Sequence, residues 1–122
     1  MIRTEYKVEI TSASRDFDAR ERIILKDLND SRGVNELTED DVLNVADYAF
    51  LHVHNEFSQQ NKDYEKLVLI CDEGKFTTSS QSFMDAFIGI WDELDGEGVS
   101  IKVNKKASKN FSGNFLTCSL VY

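Results

Sequence analysis

"KLVLICDEGKFTTSSQSFMDAFIGIWDEL", residues 66–94, decides how this chain folds. Lys66 to Cys71 is an apolar run of strand length. Asp72-Glu73-Gly74-Lys75 supplies a turn in which Gly74 can take positive φ, and Phe76 to Thr78 returns, so the first half predicts a β-hairpin. Ser79, Ser80 and Ser82 then offer N-caps. Behind them Phe83, Phe87, Ile90, Trp91 and Leu94 recur at helical spacing, and Gly96 stands where a helix can end. The second half therefore predicts one amphipathic helix over about 80–95. Its aromatic stripe could line a ligand pocket, but stripes at this spacing usually face the core, and we read it as core.

Working outward, Ile2, Thr4, Tyr6, Val8 and Ile10 alternate with Arg3, Glu5, Lys7 and Glu9, the two-residue period of a strand with one face inward. "TSASRDFDARE" (11–21) is polar and has neither period, so it reads as a mobile linker or loop before the apolar patch Ile23-Ile24-Leu25. From Thr38 to Phe57 two periods compete. Val42, Ala46, Ala49, Val53 and Phe57 fit a helical stripe that Thr38 and the acids at 39–41 would cap, while Ala49, Leu51, Val53 and Phe57 share a strand face opposite His52 and His54. We expect a short turn or helix near 38–44 and a strand over 47–57. Two further strands are expected at about 99–104 and 115–121, joined by a lysine-rich loop.

Behind the N-terminal strand, the order around the helix is strand, strand, strand, helix, strand, strand, in a single domain (1–122) without internal repeats. This is a mainly β arrangement with one principal helix. It is the order of an OB-like β-β-β-α-β-β barrel, in which the loop before the last strand often touches oligonucleotides; the alternative is an α+β sheet with a helix packed on one face.

Composition agrees with one globular core: the chain has 122 residues, 41% of them hydrophobic, and eight phenylalanines. No run of about 18 apolar residues is present, which argues against a membrane span or signal peptide and for a cytoplasmic location. Cys71 and Cys118 each lie in an apolar segment, so buried, reduced thiols are expected. His52 and His54 would share a strand face, but no CxxC or HExxH accompanies them, and we expect no metal and no cofactor. The usual nucleophile, phosphate-loop and dinucleotide motifs are also missing, and we expect no enzymatic activity.

Charge is distributed unevenly. All 22 acids and ten of the 14 basic residues fall in 1–97, a balance of −12, while 98–122 carries four lysines and no acid, and the total is −8. The basic stretch is "NKKASKNFSGNF" (104–115). Single-stranded nucleic acid needs cations along a phosphate track and exposed aromatic faces for unstacked bases. Lys102, Lys105, Lys106, Lys109, Asn110, Phe111 and Phe115 are accordingly the candidate contacts. The plain alternative is a hairpin whose lysines keep an edge soluble.

"DYEKLVLICDEGKFTTSSQSFMDAFIGIWDEL" (63–94) followed by "KKASKNFSGNFLTCSLV" (105–121) resembles small proteins carried by bacteriophages and integrative elements of Gram-positive bacteria. Some of these are regarded as OB-type single-stranded-DNA-binding proteins with an SKN-x-x-G loop before the last strand. The resemblance implies a non-enzymatic protein binding single-stranded nucleic acid in phage or mobile-element DNA metabolism. Leu120-Val121-Tyr122 is no acidic tail, so partner recruitment through such a tail is not expected. The competing class is an acidic adaptor or inhibitor that mimics DNA on a host protein. Self-association into a homo-oligomer stays open.

Overall fold

A computed structural model describes residues 6–28, 31–56, 63–107 and 114–121. The strands are β1 (Tyr6–Ala13), β2 (Arg32–Gly33), β3 (Val42–Asn55), β4 (Asp63–Cys71), β5 (Gly74–Thr78), β6 (Ser100–Ala107) and β7 (Asn114–Leu120). The helices are α1 (Ala19–Lys26) and α2 (Gln81–Leu94), and a short 3-10 turn covers Val34–Glu36. The chain is thus mainly β, a curled half-barrel sheet with two helices.

β3, β4 and β5 form an antiparallel meander, with Leu69 opposite both Tyr48 and Phe76. β2 adds to the outer edge of β5 in parallel. The other edge of β3 serves two partners: Val42–Asn44 pair with β6, and Ala49–Asn55 pair with β1. A register shift between Val45 and Asp47 lies between the two pairings. An extra residue on one strand bends it and increases its twist, which is how one strand enters two sheet directions. β6 and β7 complete the path as a hairpin.

Alternation fills both faces of the meander. On one face Leu67, Leu69 and Phe76 pack under α2, whose Phe83, Met84 and Phe87 are buried. Tyr48 ties the layers together, its ring edge-on to Phe87 at 5.4 Å and to Trp91 at 5.0 Å. The opposite face buries Ala49, Leu51 and Val68 with Phe17 and Leu25 from the α1 region. The expected helix face is therefore core at Phe83 and Phe87, while Ile90, Trp91 and Leu94 are partly buried against it. Gly74 takes φ 135° in the hairpin turn. At the end of α2, Asp95 and Gly96 take φ 53° and 76°, and a Cβ on Gly96 would stand 2.9 Å from the Trp91 ring.

Several expectations need correcting. The segment 11–21 is not a linker: Ser12 and Ala13 pair with Phe50 and Ala49, and α1 begins at Ala19. Asp18 caps α1 through a capping box, its carboxylate accepting from Glu21 N while Glu21 accepts from Asp18 N. Of the short turn or helix expected near 38–44 the turn is what forms, and the strand expected over 47–57 starts earlier, at Val42. The Thr38 amide and hydroxyl both donate to the Asp41 carboxylate, at 2.8 and 3.0 Å, closing a turn from which β3 departs at Val42. The last two strands also reach further into the lysine-rich stretch than expected, to Ala107 and from Asn114.

Candidate nucleic-acid interface

The basic hairpin is built by register: Lys102 faces Ser119, Lys105 faces Leu116 and Lys106 faces Phe115. Lys105 and Lys106 are strand residues, not loop residues. Successive strand side chains alternate between faces. Ile101 and Val103 are fully buried, so Lys102 takes the opposite face, and Lys105 continues the inward row where the core ends. The ammonium of Lys105 crosses to the 3-10 turn and donates to Asn35 O at 2.7 Å. The two described lysines therefore serve different faces of β6. Lys109, Asn110 and Phe111 lie outside the described residues, and Lys106 and Phe115 are described only in their backbone pairing.

Lys105 leads to a seam where the half-barrel does not close. No described strand pairs with β7 on the side away from β6. Instead the start of α2 stitches it: Ser80 and Ser82 hydroxyls donate to Leu116 O at 3.2 and 2.8 Å. Beside these bonds opens a cleft of about 300 Å³, lined by Gly33, Asn35, Lys66, Thr77, Thr78, Ser79, Ser80 and Leu116. None of these lining side chains is a carboxylate, although Glu36 accepts from the Gly33 amide at 2.7 Å beside them. Five of its lining residues carry hydroxyl or amide groups, and its one charged side chain is Lys66, whose ammonium stands 6.0 Å from the Tyr64 ring centre on the same face of β4.

Part of the chemistry of this cleft is held in place. The buried Thr78 hydroxyl accepts from Ser80 N at 3.1 Å, and the Ser80 hydroxyl accepts from Phe83 N at 3.3 Å. An ammonium has three N–H donors. The one contact from Lys105 to Asn35 leaves two for an anion, and Lys66 is among the residues lining the cleft. This arrangement can hold a phosphate or a polar backbone. Sequence reasoning missed Lys66, Tyr64 and Asn35; the only local signal was the alternation of Tyr64 and Lys66 with Asp63 and Glu65 at the polar start of β4.

The remaining reactive groups are held elsewhere. Cys71 and Cys118 are free, buried thiols, and burial pushes each up to about 12, so both stay protonated near neutral pH. His52 and His54 share a face as the spacing predicts, and both turn to Asp63. No helix among the described residues is long and apolar enough to cross a membrane. Comparison with protein-family models, with curated proteins and with solved structures gives no match.

Proposed function

We propose that this chain is a non-enzymatic module that binds single-stranded nucleic acid along the seam between β5 and β7, in phage or mobile-element DNA metabolism. The observation that carries the reading is the charge of the cleft's lining: in a protein of net charge −8, its one charged lining side chain is Lys66, with Lys105 donating to Asn35 at its rim and the nearby Glu36 carboxylate engaged by the Gly33 amide. Phosphates would sit against Lys66 and Lys105, and Tyr64 beside Lys66 offers an aromatic face to a base. The β3-β4-β5 meander, the helix α2 and the β6-β7 hairpin follow in the order of an OB-like barrel, with β1, β2 and α1 as additions. In that reading the seam lies beside the hairpin that often touches oligonucleotides.

The test is a titration with labelled single-stranded DNA at two salt concentrations. Each neutralised phosphate contributes about −0.7 to the slope of log affinity against log salt. Lys66→Ala and Lys105→Ala should each flatten the slope by about that amount, and Lys102→Ala, on the other face of β6, should not. Absence of binding at low salt, or a slope indifferent to Lys66 and Lys105, rejects the reading. The acidic surface then takes its place: Asp92, Glu93, Asp95 and Glu97 are all exposed around the end of α2 and could occupy a basic channel of a host protein.

A further inference from the structure

At the far ends of β3 and β4 one face turns polar while Leu51 and Val53 on the other stay buried. There the face that buries Tyr48 and Leu69 continues as His52 and His54 on β3 and Asp63 and Glu65 on β4. Asp63 Oδ1 lies 3.0 Å from His52 Nε2 and 2.8 Å from His54 Nδ1. The second ring nitrogen of His54, Nε2, lies 2.9 Å from Glu56 Oε1. We propose that His52, His54, Glu56 and Asp63 form a pH-sensitive clasp, closed when His54 is protonated, that holds the far ends of β3 and β4 together.

Ionised carboxylates only accept, and a neutral imidazole carries a single N–H. His54 has a carboxylate oxygen against each nitrogen, so both contacts are hydrogen bonds only when the ring is the imidazolium. In the neutral ring one lone pair faces an anion, and one contact becomes repulsive. The clasp therefore loses one of its two His54 bonds on deprotonation. It lies on the opposite face of β4 from Lys66 and is independent of the proposed interface.

The neighbours favour the cation. From β1, Lys7 pairs opposite His54 and Glu9 opposite His52, and these two side chains are joined at 2.7 Å. From β4, Asp63 stands opposite His54 and Glu65 opposite His52, and Lys26 of α1 acts on Glu9 from further away. Among the described residues four carboxylates thus surround the imidazoles, and the cation paired opposite His54, Lys7, is neutralised by Glu9. The hydrogen bond to Asp63, and then that to Glu56, raises His54 above its ordinary 6.5 against the opposing effect of desolvation. Hydrogen bonds from His54 and then His52 lower Asp63 below its ordinary 3.8. The signs define a window. The stabilisation from His54 is complete below 6.5 and is lost as pH rises through its raised value; that from Asp63 is present above 3.8 and is lost as pH falls through its lowered value.

Imidazole ring NMR from about pH 4.5 to about pH 9 tests this on the intact chain, its Asp63→Asn variant and its Glu56→Gln variant. His54 should titrate above 6.5 in the parent, and both variants should bring it down, Asp63→Asn by more. The urea midpoint of the parent should exceed that of Asp63→Asn most at about pH 5.5, and the gap should narrow above the His54 titration. A His54 that titrates at or below 6.5, or that neither variant moves, overturns the clasp. A midpoint gap that is constant across this range also overturns it. These groups are exposed, so a merely structural loss in either variant would leave the pH dependence unchanged.

Discussion

The two helices cover opposite faces of the same meander and are built by different means. α2 has 14 residues, places Phe83, Met84 and Phe87 in the core, and would be recognised as a helix anywhere. α1 has eight residues, buries only Leu25, and leaves Ile23 and Ile24 at 66% and 55% exposure. An isolated helix of that length is marginal in water, because nucleation is costly and few bonds follow it. Contacts from elsewhere compensate. Arg15 bridges Glu21 of the capping box and Asp47 of β3, and the Lys75 ammonium donates to Ile24 O and to Asp27 O, satisfying carbonyls at the helix end from 48 residues or more away. The comparison teaches that α2 is held by its own apolar stripe and α1 by its ends.

This contrast can be broken at graded points. The largest effect should come from Phe87→Ala, which removes a fully buried ring in contact with Tyr48 and Trp91. Equilibrium unfolding in urea should show a loss of about 3–5 kcal/mol, and a loss near zero would mean that α2 is not the core helix. Leu25→Ala should cost less, about 2 kcal/mol, because a short helix with one buried residue can shift to fill the space. Asp18→Ala removes the cap and should cost about 1 kcal/mol, whereas the same loss without any change in α1 amide protection would show that the cap does not hold this helix. Ile23→Ser should stay within about 0.5 kcal/mol, since the side chain is exposed; a larger loss would reveal that Ile23 is covered in solution.

Legibility in the sequence followed the same division. The hairpin at Gly74 and the helix after Ser80 were readable because turn chemistry, caps and apolar period agree within one window. α1 was not, because Ile23-Ile24-Leu25 is a contiguous patch with no helical period, and polar residues on both sides read as linker. The competing periods at 42–55 were resolved in favour of a strand by partners on both edges, β4 on one side and β6 with β1 on the other. Tertiary pairing outweighs local propensity where one window supports two answers.

The sequence by itself determined a mainly β chain with α2 packed by its aromatic face, two shielded thiols, and a C-terminal segment in which every charge is positive. These are properties of composition and of periods that repeat within one element. Only the tertiary structure decided which way the positive charges face. Lys102 and Lys105 are three residues apart, and strand alternation sends one outward and the other to Asn35, 70 residues earlier in the chain. Lys66 lines that cleft from β4, and His54 meets Asp63 across a strand pair. Each of these sites requires groups distant in sequence to converge, and that convergence is set by register and by the bend in β3.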